Sequence, residues 1–142
     1  MILLDTNILS AAVNSFANEP VRTWIDRQPS GTLFLCAPVL AEVRFGCDLL
    51  PEGARKSRIA DGYTRLEEQL FAGRVLAFGR AAALEFARIR ALRQRAGRPF
   101  PPMDALIAAI ALANSMTLAT RNTRDFEGIG LPLINPFETA IP

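Results

Sequence analysis

Histidine is absent from the 142 residues of this chain. That excludes Ser-His-Asp and Cys-His nucleophilic catalysis, histidine-paired RNA cleavage and the usual histidine-containing zinc sites. Lysine is nearly absent, with Lys56 alone beside 15 arginines. The only two cysteines, Cys36 and Cys47, lie in apolar surroundings without ligand-type neighbours. They are expected to be reduced core thiols and not a disulfide or reactive thiol. No stretch has the ~18 consecutive apolar residues of a membrane span, and no basic segment precedes an apolar one at the start. A cytoplasmic protein without a signal peptide or a membrane partner is therefore expected. Repeats, linkers and low-complexity segments are missing too, so residues 1–142 read as one domain. If the chain is an enzyme, carboxylates and a borrowed cation must do the work.

Half the residues are hydrophobic and 21% are charged, which suits a folded chain that buries roughly 70% of its unfolded surface. The net charge is only +2, but arginine presents a planar fork of donors matched to phosphate, so its excess points to a polyanionic partner. A GC-rich coding bias produces the same excess.

Ile2-Leu3-Leu4 is a short apolar run that ends in Asp5-Thr6-Asn7, the pattern of a buried strand followed by a helix cap. A helix is expected over Glu19 to Arg27, a strand over Leu33 to Leu35, and a helix from Ala37-Pro38 to about Leu50. Pro51-Glu52-Gly53 breaks the pattern, and a longer helix follows to about Phe71. Val75 to Phe78 reads as a third strand and Ala81 to Ala96 as a helix closed by Gly97 in the left-handed conformation. Pro99 to Pro102 launches a helix from Met103 to Ser115. Thr117 to Ala119 and Leu131 to Ile134 complete the strands. Alternating strands and helices give an α/β fold with a mostly parallel sheet.

Four acids stand out. Asp5 follows a strand expected to be central, where ligands gather at the carboxyl ends of open sheets; it also suits a helix N-cap. Glu42 has Pro38, Val39, Phe45 and Gly46 as helical neighbours, with no charge among them, although a surface glutamate beside Arg44 is the plainer alternative. Asp104 is the sole charge of a helix that is apolar all round, and a buried unpaired carboxylate is costly; favouring the helix dipole from the first turn is the other explanation. Asp125 sits among Arg121, Asn122 and Arg124, as a turn former or a site acid. Asn122 is equally an oxygen ligand or a turn residue. Converging carboxylates repel unless a cation neutralises them. Hard divalent cations prefer such oxygens, and magnesium keeps waters that can be acidified for attack.

The order Met-Ile-Leu-Leu-Asp5-Thr-Asn, Ala41-Glu42-Val, Asp104-Ala-Leu-Ile-Ala-Ala and Ala-Thr120-Arg-Asn-Thr-Arg-Asp125-Phe resembles the VapC-like PIN-domain ribonucleases over essentially the whole chain. Phe71-Ala-Gly-Arg-Val-Leu-Ala-Phe78 is similar to the FitB-type branch. The resemblance implies a three-layer α/β/α PIN fold with a central sheet of about five strands. It implies Asp5, Glu42 and Asp104 as metal-binding acids, with the fourth at the position of Asn122 or Asp125, of which only Asp125 is charged. It further implies Thr120 and Asn7 as supporting residues, magnesium or manganese as cofactor, RNA as substrate and a homodimer. A cognate VapB-like antitoxin would cover the site, with a hetero-octamer on operator DNA as the larger assembly.

Arg88 to Arg98 carries five arginines just before the Asp104 helix. Arg93, Arg95 and Arg98, with Arg121, form a candidate RNA-phosphate patch, or else a solvated helix face; Phe100 is the nearby aromatic candidate for stacking. Three rivals remain. An aspartate-based phosphotransferase wants a second acid where Asn7 stands and a late lysine, which is missing. A catalytically inactive antitoxin- or DNA-complex module would leave the acids vestigial. A PIN nuclease of RNA maturation would lack an antitoxin.

Overall fold

The computed structural model describes residues 1–14 and 18–138. Five strands, β1 (Ile2–Leu4), β2 (Leu33–Cys36), β3 (Val75–Leu76), β4 (Thr117–Ala119) and β5 (Leu133–Ile134), form one sheet in the order β3-β2-β1-β4-β5. Every neighbouring pair is parallel. The α-helices among the described residues are α1 (Thr6–Asn14), α2 (Glu19–Asp26), α3 (Ala37–Asp48), α4 (Ala54–Arg65), α5 (Arg80–Arg95) and α6 (Pro102–Ala113). No helix among the described residues is long and apolar enough to cross a membrane.

Parallel crossovers are right-handed, so connections crossing a sheet in opposite directions lay their helices on opposite faces. The steps β1→β2→β3 carry α1 to α4, which pack on one another, and the return β3→β4 carries α5 against α6. The result is the expected three-layer α/β/α arrangement. Both faces of the central strands are covered, which explains why their sequences read as apolar runs without alternation. Leu3, Leu4, Leu35 and Leu118 are essentially inaccessible, and Ile107 to Ala111 bury the middle of α6.

Prolines open three helices, at the first or second positions of α2, α3 and α6, where a missing N–H leaves no ladder bond unmade. Gly97 closes α5 at φ +71°, the left-handed stop its sequence calls for. Three boundaries differ from expectation. The α-helix of α4 stops at Arg65 and widens into a π-turn over Leu66–Leu70, after which Phe71 is fully buried. The third strand ends at Leu76 because β3 lies at the sheet edge, with β2 as its only partner, and Phe78 meets Phe86 edge-on instead. The fifth covers only Leu133–Ile134, the two residues in register with Leu118 and Ala119.

Candidate active site

The strand order reverses between β1 and β4, since the chain leaves β1 toward β2 but returns to β1's other side. In open parallel sheets such a switch point opens a crevice at the carboxyl ends of the strands. β1 and β4 run in register there, and the Asp5 N–H donates to the Ala119 carbonyl at 2.9 Å. Asp5 and Thr120, the residues that follow the two strands, therefore leave the sheet side by side.

Asp5 is buried and caps α1 from within the site. Its backbone carbonyl accepts the N–H groups of Ile8 and Leu9, and its Oδ1 accepts Thr6 N–H at 2.7 Å. Its Oδ2 accepts the Thr120 hydroxyl at 2.7 Å and Asn7 Nδ2 at 3.3 Å. The cap and site roles therefore coincide in one side chain. Burial raises the Asp5 carboxyl above the usual aspartate range, opposed by the hydrogen bonds from Thr120, Thr6 and Asn7. Thr120 is fully buried; its Oγ1 also accepts Asn122 N–H at 3.1 Å and Asn7 Nδ2 at 3.4 Å. Asn7 Oδ1 accepts Arg121 N–H at 3.1 Å. Thr120 and Asn7 thus tie the start of α1 to the loop after β4. Asn122 enters this network through its backbone.

Glu42 is half-buried on α3 and accepts the Thr6 hydroxyl. Thr6 consequently holds two acids, one by its amide and one by its side chain. Its role had no sequence signal beyond its place after Asp5. Cys36 precedes α3, and burial pushes its thiol up to about 12, so it is a neutral wall of the crevice.

Asp104 lies in the first turn of α6, half-buried. A helix N-terminus lowers a carboxyl's pKa, yet this one is pushed up to about 6, first by burial and then by the charges of Asp5, Asp125 and Glu42, with Arg93 pulling the other way. Burial comes first and the neighbouring acids second, so this position disfavours the charged form despite its place in the first turn. Asp125 is exposed, within a 3₁₀ turn over Thr123–Phe126.

The arginines separate. Arg93 is only 7% exposed. Its Nε donates to the Arg98 carbonyl at 3.0 Å, and its Nη1 to the carbonyls of Asp125 at 2.9 Å and Glu127 at 3.4 Å. Its guanidinium also lies 4.5 Å from the centre of the Phe100 ring. It clamps the Asp125 loop to α5 instead of standing on an open face. Phe100 is buried edge-on against Phe126, so it packs. Arg95 and Arg98 are exposed, and Arg98 reaches the Arg124 carbonyl at 3.4 Å. Arg121 is exposed over Phe137, 4.8 Å from the ring centre. Phe137 escaped sequence reasoning because it lies far from the acids in the chain; pairing of β5 with β4 carries it there.

The donors are hard carboxylate oxygens whose charges, after burial, help to raise Asp104, and a divalent cation would cancel that charge, so their chemistry fits magnesium or manganese. Among the described residues, however, no three acid or thiol side chains stand close enough together to hold a metal ion as they are placed. Beside it, between α1–α2 and the π-turn after α4, lies a cavity of about 650 Å³ with Leu9, Ala12, Leu66, Leu70 and Phe71 in its wall and Arg22 at its rim.

A PIN-domain family profile matches residues 2–130. The chain is 42% identical to the plasmid stability protein StbB of Pseudomonas syringae pv. tomato, over 97% of this chain and 99% of that protein. It is 39% identical to the VapC ribonuclease Y4jK of Sinorhizobium fredii, over 99% of this chain and all of that one. A solved FitAB complex bound to a DNA fragment contains a chain that superposes with a TM-score of 0.87 at 36% identity, covering 99% of each.

Proposed function

The chain belongs to the PIN-domain family, among relatives of the VapC and FitB toxins, and on that premise we propose that it is a metal-dependent endoribonuclease, the toxin of a VapBC-like type II toxin–antitoxin pair. The observation that carries this reading is the juxtaposition at the switch point, where Thr6 joins Asp5 to Glu42, Thr120 holds Asp5, and Asp104, lifted to about 6 first by burial, also feels the charges of Asp5, Asp125 and Glu42. Asp5, Glu42, Asp104 and Asp125 would hold magnesium or manganese, which when bound supplies an acidified water and neutralises the charge of phosphodiester hydrolysis. Asp5 keeps one orientation through Thr6, Thr120 and Asn7, and Glu42 keeps its own through Thr6. Such fixed donors need no rearrangement as charge develops. Arg93 keeps Asp125 at the crevice by holding its carbonyl. Exposed Arg95, Arg98 and Arg121 would meet the RNA backbone.

The cavity between α1–α2 and the π-turn sets Leu9, Leu66 and Phe71 beside Glu19, Arg22 and Asp26, which suits an amphipathic antitoxin segment, and it includes Leu4, the residue before Asp5. A VapB-like partner lying there would reach the crevice. The exposed Phe45 of α3, Leu49 just after it, and Leu84 and Leu92 of α5 suit the homodimer that the family implies, and a hetero-octamer on operator DNA is the corresponding larger assembly. The testing experiment is cleavage of a mixed RNA pool by purified, antitoxin-free protein with manganese or magnesium, then with EDTA, beside Asp104→Asn. Metal-dependent cleavage lost in the variant supports the reading. A folded wild type that cleaves nothing with either metal would move the chain to a binding role.

A further inference from the structure

Arg121 directly follows Thr120, the hydroxyl donor to Asp5. Its main chain is fixed on both sides: its N–H donates to Asn7 Oδ1 at 3.1 Å, and its carbonyl accepts Asn135 Nδ2 at 3.3 Å. Asn135 Oδ1 accepts Phe137 N–H at 3.0 Å, which sets the ring beneath the guanidinium. No carboxylate among the described residues pairs with Arg121. An arginine free in water must surrender many rotamers when it binds. One held over a ring by cation–π attraction is restricted beforehand, while its donors remain available. Arg44, Arg90 and Arg93 also lie over rings, but the exposed arginines beside the Asp125 loop, Arg95, Arg98 and Arg124, do not. The crevice itself carries four acids, which repel a polyanion at its approach, so a fixed cation at its rim has an electrostatic purpose.

We propose that Arg121, held over Phe137, is a subsite for a phosphate of the RNA backbone flanking the bond to be cut. The proposal rests on the ribonuclease reading and adds to it a residue pair, of which Phe137 is the positioning member. A phosphate is favoured over a base because the exposed member of the pair is the charged Arg121, while one face of the Phe137 ring is already engaged by it.

The test is fluorescence anisotropy of a labelled random-sequence single-stranded RNA pool, with manganese, in an Asp104→Asn background, across a series of salt concentrations. Binding is read without cleavage, so failure of the nuclease reading and failure of this subsite are separate results. Arg121→Met is expected to weaken binding about tenfold, the size of one charge-assisted contact, and to reduce the slope of log affinity against log salt by about 0.7. Phe137→Leu keeps the cation, so it should weaken binding severalfold with nearly the parent slope. Arg27→Met, at the end of α2 that leads to the opposite end of the sheet, controls for general charge and should leave both quantities near the parent values. Equal melting temperatures show that the variants are folded. Parent-like affinity and slope in Arg121→Met would overturn the proposal. So would a loss of affinity with no change of slope, which marks a base contact, or an effect confined to binding of the antitoxin.

Discussion

Removing the charge of Asp104 should make the metal-free protein more stable while abolishing its activity. Folding takes this carboxyl from 3.8 to about 6. A group whose folded pKa is raised above its unfolded value contributes stability that is fully present below 3.8 and is lost as pH rises through about 6. At neutral pH the ionised Asp104 therefore works against the fold. Two units at about 1.4 kcal/mol each give about 3 kcal/mol. Residual contact with water and salt screening reduce this to about 1–2 kcal/mol. No hydrogen bond contributes to the shift, so Asp104→Asn breaks none of those recognised at the site. In EDTA at neutral pH the variant should melt about 3–6 °C above wild type, by the usual conversion for a chain of this size. The difference should shrink as pH is lowered from about 6 toward 3.8. Manganese should reverse the order, because it stabilises only the protein that binds it. Thermal melts with and without metal across that pH range, beside RNA cleavage, are the assay. A variant no more stable than wild type in EDTA at neutral pH would refute the claim that burial and neighbouring acids lift Asp104.

Other substitutions test the supports of the site. Thr120→Val removes the hydroxyl that donates to Asp5 and accepts from Asn7 and Asn122; turnover should fall at least about tenfold and stability by about 1–2 kcal/mol, read by cleavage rate and urea unfolding. Arg93→Met leaves the carbonyls of Arg98, Asp125 and Glu127 without their donor, so it should cost about 2–4 kcal/mol in urea unfolding without changing the salt slope of RNA binding expected of a phosphate contact. Cys36 and Cys47 are free and buried, and the Cys36 thiol sits at about 12. A thiol reagent should therefore modify neither in the native protein and both in denaturant; rapid native labelling of Cys36 contradicts its burial.

The candidate acids were legible because each breaks an apolar context. Asp5 ends a buried run, Asp104 interrupts an alanine- and isoleucine-rich helix, and Glu42 lacks charged neighbours on its helix face. Their convergence needed one further fact, the pairing of β1 with β4, which alternating strands and helices imply but do not order. Arg93 was misleading because its neighbours in the sequence are solvated arginines, while its burial depends on carbonyls about thirty residues away. Thr6 and Phe137 gave no local signal, since one acts on a helix 36 residues on and the other arrives through β5. The π-turn after α4 is equally hidden, because its register changes without a proline or glycine inside Leu66–Leu70. Periodicity marks faces and termini; contacts between distant segments belong to the topology.

The hydrogen bond from Thr120 to Asp5 joins residues 115 positions apart, and the strands that bring them together are neighbours in the sheet but far apart in the order of synthesis. A ribosome makes Asp5 early and Thr120 late, with Phe137 later still. Throughout most of translation the nascent chain holds the first two acids without the strand that completes their crevice. Whatever depends on this pairing is therefore absent until β4 has been made and has paired with β1.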